Sequence, residues 1–440
     1  MSYRIEFTDK KITPWGGIIL MKKFLDRMDI INQLEEIGLP KQNSNRGYSP
    51  IQIIINFWVS IWCGASKFEH LEVTRHDEII RKIFGWKKMA GNKSFIRYFK
   101  KFTYAINRTI FTKFSQWYFN NIKFDNYTLD LDSSVFTRYG QQEGAEIGYN
   151  PMKPGRKSHH PLIAFLPECK MISNFWLRSG KSYTTNNIYT FIEDTFERLQ
   201  GKTIGLIRAD SGFFDNSIME YLENTNEKPI NYIIAGKFYA PIKRDIITQK
   251  VWWRLSKGIE ISEVNYRSPS WKKGRRIIIV KQSIADHPRS TGKELRLFPD
   301  EQVYGKYRYS CMVTNLDLPS SQVWQLYKGR SESENRIKEI KYDFGVDSFN
   351  MQEFYGTDAA LNFVIIGYNI MSLFRQTVIR TEVFNRLSTL RYTTFGIGGY
   401  TTKSGNKKIL KLSLEMNRRK WFKGLWAQSK TVSFPYIITT

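Results

Sequence analysis

Between Tyr127 and Ala235 the order of strand-like and helix-like runs leaves few folds open to this chain. Tyr127-Thr-Leu-Asp-Leu-Asp alternates apolar and polar residues, the period of a half-buried strand, and Leu162–Met171 and Asn174–Arg178 read as two more. An amphipathic helix is predicted over Ile188–Leu199, followed by a buried strand, Thr203-Ile-Gly-Leu-Ile-Arg-Ala-Asp, that ends on an acid. A helix over Asn216–Asn224 and a strand at Asn231–Ala235 complete the series. The order is βββαβαβ, with one aspartate closing the first strand and another closing the fourth.

The flanking segments have different textures. From Gly16 to Phe119 apolar residues recur every three or four positions, as in Ile51, Ile54, Ile55, Trp58, Ile61 and Trp62, so the first quarter is predicted helical. Within it, Asp77–Trp86 and Ser94–Phe102 read as two short helices, the second capped by Ser94 and bearing Arg97, Lys100 and Lys101. This pair resembles a helix-turn-helix that would contact DNA; an ordinary basic helix pair is the other reading. Between Lys237 and Asn315 the pattern is again strand-rich, as in Arg276-Ile-Ile-Ile-Val-Lys and Tyr304–Val313. A long helix is predicted from Pro319 to Tyr342, then further helices and a basic tail with Lys407, Lys408, Arg418, Arg419 and Lys420. The apolar stretch Ala359–Phe374 is interrupted by Asn362, Gly367, Tyr368 and Asn369 and reads as a buried helix, not a membrane span.

Charge narrows the partner. Lys and Arg number 67 against 41 acidic residues, a formal charge of +26, which suits a polyanion better than a small metabolite. Aromatic residues make up 15% of the chain and serve base stacking as well as packing. Cys63, Cys169 and Cys311 are far apart and in no CxxC pair, which indicates neither a disulfide framework nor a zinc site. The N-terminal MSYRIEFTDKKITPW has no apolar core of signal-peptide type, so a cytoplasmic protein is expected.

On the long helix, Tyr327, Arg330, Glu334 and Lys341 sit at successive offsets of 3, 4 and 7. At about 100° per residue all four share an arc of roughly 60°. Leu326, Ile337, Ile340 and Phe344 form an adjoining apolar stripe that would anchor the helix. Taken alone, such a charged face is more commonly solvated and laced with ion pairs. It gains meaning from the βββαβαβ order, which is that of a ribonuclease H-like core. In that fold the first and fourth strands lie side by side, bringing Asp132 and Asp210 to one sheet edge where Glu334 can join them. Three carboxylates are hard oxygen ligands suited to a pair of Mg2+ ions, with Mn2+ as a substitute, for in-line displacement at phosphorus.

Tyr327-x2-Arg330-x3-Glu334-x6-Lys341 resembles the Tyr-Arg-Glu-Lys signature of cut-and-paste DDE transposases from bacterial insertion sequences. Asp130-Leu-Asp132-Ser-Ser resembles that family's first-aspartate motif, and Arg208-Ala-Asp210-Ser-Gly-Phe-Phe its second. The resemblance implies that Asp132, Asp210 and Glu334 hold two Mg2+ ions while Tyr327, Arg330 and Lys341 grip phosphates near the cut. It implies terminal inverted repeats and target DNA as double-stranded partners, a homodimer in the synaptic complex, and a nucleoid-associated bacterial setting. It also implies an aromatic that stacks on a flipped base, for which Trp252 and Trp253 are the candidates, each equally readable as core. Asp130 and Asp132 share strand parity, so either could be the first ligand; the hydroxyl after Asp132 favours it, with Asp130 as its support. His159 and His160 read as surface or phosphate-contact residues rather than metal ligands.

The fold class expected is α/β: a ribonuclease H-like core with a β-rich insertion between its fifth strand and the catalytic helix, plus a helical N-terminal region. The divisions are 1–124 helical and DNA-binding, 125–236 first part of the core, 237–315 the insertion, 316–350 the catalytic helix, and 351–440 helical and basic. The competing functions are a nuclease of the same core, which would cut without joining, and a transposase-derived DNA-binding protein without catalysis.

Overall fold

The computed structural model describes residues 3–437 apart from 44–46, 125, 225–228, 240–241, 244–248 and 288–301. Asp125, at the start of the expected core, and residues 288–301 of the expected insertion therefore lie outside the described residues. The chain divides into two compact units, one built on residues 122–337 and the other on 1–121 and 338–436.

The first unit is organised by a ten-stranded mixed sheet. Its strands are β1 (Asn126–Ser133), β2 (Leu162–Leu166), β3 (Met171–Trp176), β4 (Thr203–Ala209), β5 (Asn231–Ala235), β6 (Trp253–Ser256), β7 (Ile259–Tyr266), β8 (Arg275–Ser283), β9 (Gln302–Tyr304) and β10 (Tyr307–Thr314). Across the sheet they lie in the order β6, β7, β8, β10, β5, β4, β1, β2, β3, with β9 paired to β10 beside that path. β1, β4 and β5 run parallel, and every other pairing is antiparallel. The strand-rich segment that follows β5 thus continues the same sheet through Ala235↔Met312.

Two differences from the sequence reading have local causes. The run Leu162–Met171 is broken at Pro167, and Lys170 adopts φ +53, so Met171 opens β3 instead of closing β2. The helix expected from Pro319 to Tyr342 is two helices, Ser320–Lys328 and Arg330–Tyr342. Arg208 from β4 donates through Nη1 to the Leu326 carbonyl, and a Cβ on Gly329 would come within 2.7 Å of that nitrogen. A side chain that takes a helix carbonyl interrupts the i→i−4 ladder, and only glycine leaves it room here. Of the expected apolar stripe, Leu326 is exposed while Ile337, Ile340 and Phe344 are buried.

The Ser320–Lys328 helix packs on the sheet through Val323, Trp324 and Tyr327, which share a core with Leu206, Ile233, Ile261, Ile278 and Met312. The Ile188–Arg198 helix covers β3, where Asp194 accepts from Asn174 and the Trp176 indole at 2.9 and 2.7 Å. These contacts fix the helices that flank the ends of β1 and β4.

The second unit is mostly helical. Ser49 caps the Pro50–Trp62 helix by accepting from the Gln52 amide, with Pro50 at its first position. Trp58 and Trp62 donate to the carbonyls of Phe363 and Gly367 at 2.7 and 3.2 Å, so these indoles are satisfied inside the core. Their partner helix belongs to the span Phe354–Ile379, which is long and apolar enough to cross a membrane, but 89% of its most apolar part is buried within the structure. Where helices were expected near the C-terminus, Gly399–Ser404 and Lys407–Leu412 form a two-stranded hairpin ahead of the Met416–Thr431 helix.

Candidate active site

β1 and β4 pair in parallel with Asp130 opposite Arg208 and Leu131 opposite Ala209. Strand alternation puts Asp130 and Asp132 on one face, two residues apart, yet their surroundings differ. Asp130 is 1% exposed and is closed off by Arg208, whose Nε and Nη2 reach its two oxygens at 2.6 and 2.7 Å. The Ser333 hydroxyl donates to the same carboxylate. A buried bidentate pair of this kind is costly to break, because the surviving partner is left charged in a low-dielectric site.

One residue beyond the last pair between β1 and β4 come Asp132, still paired with Ile163 of β2, and Asp210, just past the end of β4. Asp132 retains 15% side-chain exposure; its Oδ1 accepts from the Ser133 amide at 2.9 Å and from Arg330 Nη2 at 3.3 Å. Asp210 caps the short turn that follows β4, accepting from the Gly212 amide at 2.9 Å. The methyl and hydroxyl of Thr184 lie close enough to meet a Cβ on Gly212 at 3.2–3.3 Å, and the Ser133 and Thr184 hydroxyls are 3.2 Å apart. Glu334, with 10% side-chain exposure, accepts from Arg330 Nη1 at 2.6 Å.

Arg330 is the hub. Its guanidinium joins Glu334 to Asp132 and also donates toward the Leu131 carbonyl at 3.4 Å. Its buried Nε has no hydrogen-bond partner among the described residues. Burial by itself would lower the arginine pKa, but Tyr327, Asp132, Asp210 and Glu334 together hold it above the ordinary value. Tyr327 is fully buried and donates to the Ala209 carbonyl at 3.3 Å; burial first, then Asp210, Glu334 and Asp130, raise its phenol. Lys341 is half-buried two turns beyond Glu334 on the same helix.

Among the described residues no three His, Cys, Asp or Glu side chains stand close enough to hold one ion. Asp132 and Glu334 instead pair with the Arg330 guanidinium, whose charge Asp210 also feels, so one cation offsets part of the charge of the three acids. The donor set is carboxylate oxygen throughout, which suits a hard divalent cation, and the acids' residual exposure gives it a way in.

Other predicted residues are dispersed. Trp253 is 51% exposed at the start of β6, whereas Trp252 is half-buried against Tyr309 and under Lys281. In the helical unit, Arg97 is exposed on the Asn92–Phe99 helix, Lys100 pairs with Glu353 at 2.7 Å, and Lys101 donates to Asn43 and the Lys41 carbonyl. That helix begins at Asn92, and its first amide is taken by Glu72 at 2.9 Å, so Ser94 is not the cap. His159 and His160 are buried, not surface residues. His159 Nδ1 accepts from Arg138 at 3.0 Å and Nε2 donates to the Glu143 carbonyl, while His160 Nδ1 meets the Ser182 carbonyl.

Sequence reasoning missed Arg208, Ser333 and Gly329 as parts of the site. A signal for the first was present: Asp130 and Arg208 each precede a strand-ending aspartate by two residues, so parallel pairing sets them opposite one another.

Residues 2–432 match the family model described as transposase DDE domain, group 1. No curated protein matches the chain in sequence. Among solved structures it is similar to a piggyBac transposase synaptic complex with hairpin DNA, at 13% identity and a TM-score of 0.45, over 88% of this chain and 81% of that one.

Proposed function

Because the chain belongs to the transposase DDE domain family, group 1, we propose that it is the transposase of a bacterial insertion sequence, of the branch with the Tyr-Arg-Glu-Lys signature. It binds the terminal inverted repeats, cuts the element ends and joins the 3′ ends to target DNA. The observation that carries this reading is the gathering of Asp132 and Glu334 on Arg330 where β1 ends, with Asp210 at the end of the adjacent parallel strand. The strand order β3, β2, β1, β4, β5, with β2 antiparallel and β4 parallel to β1, supports a ribonuclease H-like core.

On this reading Asp132, Asp210 and Glu334 hold the catalytic cations, two Mg2+ replaceable by Mn2+. Bound there, such ions activate an attacking oxygen and stabilise a leaving one. Asp130 is a positioning residue: engaged by Arg208 and Ser333, it sets the end of β1 relative to the helix that carries Glu334. Arg330 holds the acids in the DNA-free protein and turns its planar donors, including the unfilled Nε, to a phosphate once DNA arrives. Lys341 adds a point-charge contact. Tyr327, which the resemblance makes a phosphate contact, is fully buried with its hydroxyl on the Ala209 carbonyl, so packing is its role in the DNA-free protein.

The exposed Trp253 is the better candidate for stacking on an extruded base, while Trp252 packs against Tyr309. Residues 1–124 with Arg97, Lys100 and Lys101 are assigned to DNA-end binding, 125–236 and 316–350 to the catalytic core, 237–315 to the insertion, and 351–440 to a basic helical region. Cutting two ends in one complex calls for a homodimer, working in the bacterial cytoplasm on nucleoid DNA.

The test is strand cleavage and joining on a labelled element-end duplex with Mg2+, comparing wild type with Glu334→Gln. The expected result is cutting and joining by wild type, with DNA binding but neither step in the variant. Equal activity of both would remove Glu334 from the site. Binding without cutting by wild type would mark a catalytically inert derivative, and cutting without joining a nuclease.

A further inference from the structure

The hairpin Gly399–Leu412 stands outside the large sheet as a two-stranded sheet of its own, turned at Gly405 with φ +57. Its base is tied down: Leu412 lies against Gly16 and Gly399, and Gly399 exchanges backbone hydrogen bonds with Thr13. Its outer half is different in character. Lys403, Lys407, Lys408 and Lys411 are all exposed, and among the described residues none forms an ion pair or side-chain hydrogen bond. The register sets Lys403 directly opposite Lys408, with Lys407 in the next pair toward the turn. Like charges facing each other across a β-ladder repel, so this tip is built against its own stability unless an anion sits on it. From Gly399 to Thr431 the sequence holds nine Lys and Arg residues and a single acid, Glu415. The repulsion is therefore not relieved by neighbours in the chain.

We propose that this hairpin is a second DNA-binding element, whose lysines clasp the phosphate backbone of duplex DNA. The inference rests on the transposase reading for the choice of DNA over other polyanions. A two-stranded ribbon is narrow enough to enter a major groove or to straddle a phosphate strand, and an exposed lysine contributes a mobile point charge suited to sequence-independent contact. Ile409, exposed between Lys407 and Lys411 on the same strand, gives the ribbon an apolar surface to lay on the groove wall. The hairpin therefore contributes affinity, not sequence choice.

The experiment measures the affinity of the full-length protein for a short random-sequence duplex over a range of salt concentrations. Wild type is compared with the triple variant Lys403→Ala, Lys407→Ala, Lys408→Ala and with a control triple variant of exposed lysines outside the hairpin and outside residues 1–124, Lys257→Ala, Lys272→Ala, Lys306→Ala. Each phosphate that is no longer neutralised lowers the slope of log K against log salt by about 0.9, so the hairpin variant is expected to lose about 2 to 3 from the slope. Its affinity should fall about tenfold or more at low salt, while the control keeps the wild-type slope. An unchanged melting temperature shows that the variant is folded, and removing like charges is expected to leave or raise it. If wild type binds duplex with a steep slope and the hairpin variant matches it, the hairpin inference fails and the transposase reading stands. An equal loss in the control variant also overturns it, because the effect is then net charge. Failure of wild type to bind duplex at all overturns the transposase reading itself.

Discussion

The middle of the β1–β4 pair and its end, two residues further on, use the same chemistry for different purposes. In the middle, Asp130 and Arg208 satisfy each other inside the sheet, and Ser333 fills what remains of the carboxylate. At the end, Asp132 and Glu334 keep some exposure and share a single arginine that retains an unfilled donor, with Asp210 beside them at the end of β4. A carboxylate enclosed by fixed donors is committed to the fold. One that shares a partner with others has coordination left for a ligand.

That contrast is broken most directly through stability. Asp130→Ala strands a buried guanidinium and is expected to cost about 3–5 kcal/mol. Asp132→Ala leaves Arg330 paired to Glu334 and should cost about 1 kcal/mol or less. Urea unfolding of the two variants measures the difference, and equal losses would erase the distinction.

A second enclosed group sharpens it. Burial, then the neighbouring Arg138, depress the His159 pKa from 6.5 to about 4. The unfolded chain takes up this proton first as pH falls, so stability present above pH 6.5 is lost between there and pH 4, by about 3 kcal/mol in all. Unfolding free energy followed across that window should show the slope, and His159→Gln should flatten it. A wild-type profile without slope there would mean that the site admits water.

At the joint between the two regions, Gly329→Ala forces its Cβ onto Arg208 and is expected to cost about 1–3 kcal/mol. Cleavage at saturating DNA should fall as well, since the same arginine positions Asp130 and the Glu334 helix. A variant as stable and as active as wild type would show that the helix break is incidental. The smallest effect belongs to the open side: Trp253→Ala should change stability by less than about 0.5 kcal/mol while weakening cleavage of element ends. A large stability loss would make Trp253 a packing residue.

Much of this was legible in the sequence because period and punctuation carry it. The runs of β1, β4 and β5 fell where alternation and apolar composition put them, whereas the boundary between β2 and β3 did not, and the aspartates Asp132 and Asp210 could be numbered from the motifs. What escaped depends on contacts between distant residues. The helix break at Gly329 requires Arg208 from another strand, and the start of the Asn92–Phe99 helix requires Glu72. His159 and His160 looked polar and exposed, but Arg138 and the carbonyls of Glu143 and Ser182 satisfy them in the interior. The Gly399–Leu412 hairpin was hidden because lysines interrupt its alternation and each strand has only six residues.

The central claim is that Asp132 serves the chemistry and Asp130 the fold. It is tested most directly by comparing Asp130→Asn and Asp132→Asn in Mg2+-dependent cleavage of an element-end duplex, at a temperature where both variants are folded. The account predicts that Asp132→Asn binds the duplex but leaves it uncut, while Asp130→Asn still cuts, at a rate reduced no more than its lost stability explains. Cleavage by Asp132→Asn together with none by a folded Asp130→Asn would contradict it and make Asp130 the first ligand.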